Sequence, residues 1–168
     1  MSKTVILMRH GHYIDGENAK AFGLGDKEAL TPQGRADVDD VAEQMAEAGN
    51  TPDVIIYSPA PRTTETAMRM REVFKRVSGR DIPMIADRDL ADGAGIYGLK
   101  AFENPVCAEA KTVLVISHEP NITVMGDYFG SRLFPQKGQA FLFEASSEEW
   151  PSLKAQKNLR HKVTFSPR

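Results

Sequence analysis

A single cysteine, Cys107, stands in the 168-residue chain, so no intramolecular disulfide framework is available and a reducing compartment is expected. Cys107 lies in Asn104-Pro105-Val106-Cys107-Ala108-Glu109, with no histidine or glycine-rich anion loop beside it. It reads as a small apolar or surface residue, not a nucleophile. Long apolar runs are lacking too. The N-terminal one stops at Met8, too short for a secretory signal, and none approaches the ~20 residues of a membrane span. Nor is positive charge in excess: 21 Lys and Arg face 23 Asp and Glu, a net charge of -2. That balance gives no sign of nucleic acid or an anionic membrane as partner. Repeats, low-complexity tracts and domain linkers are missing as well. A soluble, cytoplasmic single domain over residues 1–168 is the expectation; its oligomeric state is unread.

What is present is a layered pattern. Three short runs, Thr4 to Met8, Asp53 to Tyr57 and Thr112 to Ile116, are nearly continuous in Val, Ile and Leu. Continuity without alternation marks parallel strands covered on both faces. The first helix is predicted over Pro32 to Ala48, with Val38, Val41, Ala42 and Met45 inward, Thr31 as N-cap and Gly49 as stop. The second, Pro61 to Val77, places Ala67, Met70, Phe74 and Val77 on one face and ends near Gly79. The third begins near Pro120 and turns Ile122, Met125 and Phe129 inward before Gly130. Pro83 to Ala86 reads as a further strand, and Leu90 to Phe102 as loop with short helix. Gln139 to Ala145 and Lys162 to Phe165 read as late strands, antiparallel at a sheet edge. Together these predict an α/β fold, a three-layer sandwich whose mostly parallel central sheet is flanked by helices. Gly11 to Leu30 has four glycines and no periodicity; a loop of that length suits one wall of a substrate pocket.

In such sheets ligands collect beyond the carboxyl ends of the strands. There the sequence reads Arg9-His10-Gly11-His12, then Ser58-Pro59-Ala60-Pro61-Arg62, then Ser117-His118-Glu119-Pro120. Arginine suits phosphate because its planar fork keeps its charge and makes paired hydrogen bonds. Histidine suits a nucleophile because its imidazole is neutral at neutral pH. Gly11 would let the backbone approach the phosphate closely. Alone, Arg9 could be a solvated strand end, Arg62 an ordinary first-turn residue and His118 a helix cap. Their joint arrival at one sheet edge favours a phosphoryl-handling site.

These segments, with Leu30-Thr31-Pro32-Gln33-Gly34-Arg35 and Arg62-Thr63-Thr64-Glu65-Thr66-Ala67, resemble in order the signature of the histidine phosphatase superfamily, which includes phosphoglycerate mutases and acid phosphatases. The resemblance implies a phosphoglycerate mutase-like fold and a phosphohistidine intermediate on His10, with Arg9, Arg62 and His118 binding the transferred group. It implies no metal and no cofactor. Gly11, His12 and Ser58 would line the substrate pocket. The short chain leaves no room for a large cap insertion, and the turn at His118-Glu119-Pro120 looks most like small bacterial phosphohistidine phosphatases. The substrate would then be a phosphorylated protein, with small phosphorylated metabolites, a mutase activity, or a non-catalytic phosphate-binding module as alternatives. Glu119 stands where another branch keeps an acidic proton donor, although neighbours on an extended segment alternate sides. Asp89, Asp92, Asp15 and Glu17 are further candidates, and a phosphoramidate leaving group could need none.

Overall fold

A computed structural model describes residues 3–15, 29–146, 149–153 and 159–168. Six strands form the main sheet: β1 (Lys3–Arg9), β4 (Val54–Tyr57), β5 (Met84–Ala86), β6 (Thr112–Ser117), β7 (Ala140–Ala145) and β8 (Arg160–Phe165), in the order β5-β4-β6-β1-β7-β8. The four strands β5, β4, β6 and β1 are mutually parallel. β7 runs antiparallel to β1, and β8 antiparallel to β7. The two late strands are therefore antiparallel as expected, with β8 at the edge and β7 inside it.

The continuous apolar runs follow from the layering. Val5 and Leu7 of β1, Val113 and Val115 of β6, and Val54 and Ile56 of β4 enter one core. Their neighbours Ile6, Met8, Leu114, Ile116 and Ile55 enter the other. Successive side chains of a strand point to opposite faces, so a strand sandwiched between helices is apolar at every position. The second core is closed by α1 (Pro32–Glu47) and α2 (Pro61–Ser78). The first is closed by α3 (Asn121–Tyr128) and the 3-10 segments Arg88–Leu90, Gly95–Glu103 and Pro105–Cys107.

Local signals operate as their chemistry requires. The Thr31 side chain accepts the Gly34 N–H at the start of α1, with Pro32 in the first turn. Such a cap is worth about 1 kcal/mol. α2 ends at Gly79, whose φ of 71° is left-handed. One helix-face expectation fails: Val77 is 44% exposed, and Val73 joins Ala67, Met70 and Phe74 inside. Leu90 to Phe102, expected as loop and short helix, is a chain of 3-10 turns. Most of the Gly11–Leu30 stretch, residues 16–28, lies outside the described residues, Glu17 among them. Its two ends pair as a small antiparallel ribbon, β2 (Tyr13–Ile14) with β3 (Ala29–Leu30). Cys107 is buried, its thiol donates to the Ala101 carbonyl, and burial pushes its pKa up to about 11. None of the described helices is long and apolar enough to cross a membrane.

Candidate active site

The centre of the site is set by strand register. Parallel pairing places Arg9 beside Ser117, so the next residues, His10 and His118, leave the sheet side by side. Their ring centroids are 5.4 Å apart and both side chains are buried. β4 delivers Ser58 to the same edge: its N–H donates to the Ile116 carbonyl, and its hydroxyl shares a 2.7 Å hydrogen bond with His118 Nε2.

His10 is held in one tautomer. Its Nδ1 lies 2.9 Å from the Gly11 carbonyl oxygen, which can only accept, so Nδ1 carries the hydrogen and Nε2 keeps its lone pair. Burial drives the ring's pKa down to about 3. The charges of Arg62, His118 and Arg9 add to that shift, and the bond to Gly11 opposes it. A buried, neutral imidazole with a free Nε2 is the form that attacks phosphorus.

Both arginines meet here. Arg62 is rooted in the first turn of α2, only 11% of its side chain exposed, and its Nη2 donates to the Asp92 carboxylate at 2.9 Å. Its guanidinium also lies over the Tyr13 ring, 4.9 Å from the centroid, and Tyr13 in turn meets His10 edge-on at 5.2 Å. Arg9 donates from Nη1 to the Pro135 carbonyl, while its buried Nε finds no hydrogen-bond acceptor among the described residues. A cationic donor held in that state suits an anion that both arginines can share.

The helix openings differ. α2 has no side-chain cap, so its N-terminal dipole is left to whatever occupies the site. α3 is served by Glu119, whose two carboxylate oxygens take the backbone N–H and the hydroxyl of Thr123. The structure thus brings His10, Arg9, Arg62, His118 and Ser58 together, while the Glu119 carboxylate is turned to its own helix. Asp92 is the acidic candidate that reaches the clamp. Asp89 follows Asp87 in the 3-10 turn, where the Asp87 carboxylate receives its N–H. Asp15 lies just beyond the β2 ribbon and is exposed.

Gly11 and His12 serve in ways their spacing did not reveal. The Gly11 N–H donates to Thr66 Oγ1, so it is not offered to a phosphate. A Cβ on Gly11 would sit 2.8 Å from Val38 and 3.1 Å from the Gly34 carbonyl: the glycine is there for close approach to α1. His12 has an exposed side chain, and its carbonyl receives the Thr31 N–H. The aromatic at the pocket is Tyr13. Asn121 is a second residue the sequence reading passed over. Fully buried, it donates to the Leu90 and Ala91 carbonyls and accepts the Gly95 N–H, fixing the loop that carries Asp92. Its signal is positional: a buried amide at the first turn of α3 must find several partners. No group of three His, Cys, Asp or Glu side chains among the described residues could hold a metal ion.

Known proteins carry the same arrangement of elements. The structure of the protein histidine phosphatase SixA complexed with tungstate aligns over 98% of this chain and 97% of its own, with a TM-score of 0.73 at 16% identity. A SixA from Nakamurella multipartitia aligns over 99% and 97%, with a TM-score of 0.76 at 19% identity. Phosphoglycerate mutase from Plasmodium falciparum aligns over 97% and 90%, with a TM-score of 0.61 at 20% identity. At these identities the likeness is one of fold. Among curated proteins, none matches the chain in sequence. The sequence model of the histidine phosphatase superfamily (branch 1), however, matches residues 5–97, the span that holds Arg9, His10 and Arg62. The chain belongs to the histidine phosphatase superfamily.

Proposed function

We propose that the protein is a phosphatase that works through a phosphohistidine on His10, and that its substrate is a phosphohistidine-bearing protein. The observation that carries the reading is the buried His10 imidazole, neutral and fixed with Nε2 free, in the field of two arginines. In the first step the Nε2 lone pair forms a bond to phosphorus. The bond to the leaving group breaks, and that group departs with the electron pair and takes up a proton. Arg9, Arg62 and His118 stabilise charge on the equatorial oxygens in the transition state. Ser58 holds the His118 ring in place. In the second step water attacks phosphorus, the P–N bond to His10 breaks, and phosphate leaves. Asp92, the carboxylate ion-paired with Arg62, takes up the proton that this water releases.

The leaving imidazole of a phosphohistidine needs little acid assistance, which agrees with a site whose Glu119 carboxylate is occupied in capping α3. The SixA structures supply the likeness toward phosphohistidine, and the engagement of Glu119 with Thr123 supports it. The test compares wild type with His10→Ala on p-nitrophenyl phosphate and on a phosphohistidine protein. Turnover of both is expected to vanish in the variant, and the wild type is expected to yield an acid-labile, alkali-stable phosphoenzyme on His10. Retained turnover, or phosphate recovered on Ser58 or Cys107, overturns the mechanism. Faster turnover of sugar phosphates than of the phosphohistidine protein moves the substrate to the small metabolites.

A further inference from the structure

The turn Gln136–Gln139 is bound tightly to the end of β1. Arg9 N–H donates to the Gln139 carbonyl, and Gly138 N–H donates to the carbonyls of both Arg9 and His10. The turn is closed on itself by Gln139 N–H to the Gln136 carbonyl, and by the Gln139 side chain accepting the Gln136 N–H. Gly138 has a φ of 85°, which lets the backbone curl back at this point. The residue carried at the tip of this fixed turn is Lys137.

Its ammonium lies over the Tyr13 ring, 5.3 Å from the centroid, the same ring that meets His10 and carries Arg62. No carboxylate pairs with Lys137 among the described residues; Asp37, near Gly138, has its carboxylate hydrogen-bonded to the Gln33 amide. An ammonium that no described carboxylate pairs, carried by a half-buried residue on a hydrogen-bonded turn beside the proposed phosphoryl site, is pre-organised for another anion.

We propose that Lys137, supported on Tyr13, forms a second anion subsite that binds a carboxylate carried by the substrate beyond the transferred phosphoryl group. The proposal rests on the reading of His10 as the phosphoryl acceptor. A carboxylate in that place comes either from an acidic residue beside the phosphorylated side chain of a protein or from a small acidic phosphate ester. In both, it meets a cation that no other described group neutralises. Lys137 then selects among substrates while Arg9 and Arg62 hold what all of them share.

The test sets p-nitrophenyl phosphate against 3-carboxy-4-nitrophenyl phosphate, and an aspartate-flanked phosphotyrosine peptide against a serine-flanked one. Lys137→Gln is expected to lower kcat/KM about tenfold more for a carboxylated probe than for its neutral counterpart, through KM, the size of one charge-assisted contact. Lys137→Arg is expected to restore the preference. A preference lost on the peptide pair identifies an acidic protein sequence as the source; one lost on the aryl pair alone identifies a small ester. Equal losses on charged and uncharged probes overturn the proposal, because Lys137 then serves the transferred group itself. No loss on either pair overturns it as well. His10→Ala on p-nitrophenyl phosphate is run alongside. Activity surviving there refutes the phosphohistidine mechanism, whereas the Lys137 comparison is read in the background of an intact His10.

Discussion

The titration of His10 is the most direct readout of the state of this site. An unperturbed imidazole, with a pKa near 6.5, is ~97% protonated at pH 5. With the value lowered to about 3, chiefly by burial, His10 stays about 99% neutral at that pH. Ring 15N–1H correlation spectra across pH 8 to 4.5 are expected to show one histidine fixed as the Nδ1–H tautomer throughout, and that signal disappears in His10→Gln. Stability should carry the same signature. A folded pKa below the unfolded one means that the unfolded chain takes up the proton first, so stability is lost as pH falls from 6.5 toward 3. Between pH 8 and pH 5 the wild type should lose about 2 kcal/mol that His10→Gln does not. Denaturant titrations of both proteins at the two pH values measure it. A His10 midpoint above 5.5, or equal pH slopes for the two proteins, would refute the account of a buried, neutral nucleophile.

Three further outcomes are expected. A Cβ at Gly34 would lie 2.2 Å from the His12 carbonyl oxygen, so Gly34→Ala must displace the backbone beside His10; a loss of about 3 kcal/mol and a Tm lower by about 5–10 °C are expected by calorimetry. An unchanged Tm would show that this approach is not needed. Asp92→Asn removes the carboxylate that shares Arg62 with an incoming anion. Inorganic phosphate should then inhibit p-nitrophenyl phosphate hydrolysis several-fold more tightly, and weaker inhibition would place Asp92 among the groups that favour the anion. Asn121→Ala leaves the Gly95 N–H without its partner and takes one donor each from the Leu90 and Ala91 carbonyls, which keep the Ser117 hydroxyl and the Ala94 N–H, at a cost of about 1–3 kcal/mol. Its kcat should fall along with its Tm, and a stable variant with full activity would deny Asn121 its part in placing Asp92.

The parts of the fold visible in the sequence are those dictated by short-range chemistry. β1, β4 and β6 announced themselves because both of their faces are covered, and α1 because Thr31 and Gly49 mark its ends. The convergence of His10 and His118 could be read because both directly follow parallel strands. What stayed hidden depends on partners distant in the chain. That Tyr13 and not His12 meets His10 depends on pairing with Leu30 across the β2–β3 ribbon. Val77 lies at a core angle on the helical wheel yet is exposed, because burial also requires something to cover it. The purpose of Gly34 becomes visible only once the His12 carbonyl is placed against it. Glu119 was adjacent to the site in sequence, and its direction was decided by Thr123, one turn along α3.

The position of β6 has a consequence for how activity arises as the chain folds. It is the last of the parallel strands in sequence, yet it sits between β4 and β1, which no described hydrogen bond joins directly. Until Thr112–Ser117 is inserted, the earlier strands lack the member that bridges them, and His10 lacks its neighbour across the gap. A nascent chain that has emerged only as far as β5 holds Arg9, His10 and Arg62 but no assembled centre. Pairing strands so distant in sequence makes closure of the sheet a late, long-range event. The proposed phosphoryl transfer is thereby a property of the completed sheet, and its appearance during refolding would be a direct clock for the insertion of one strand.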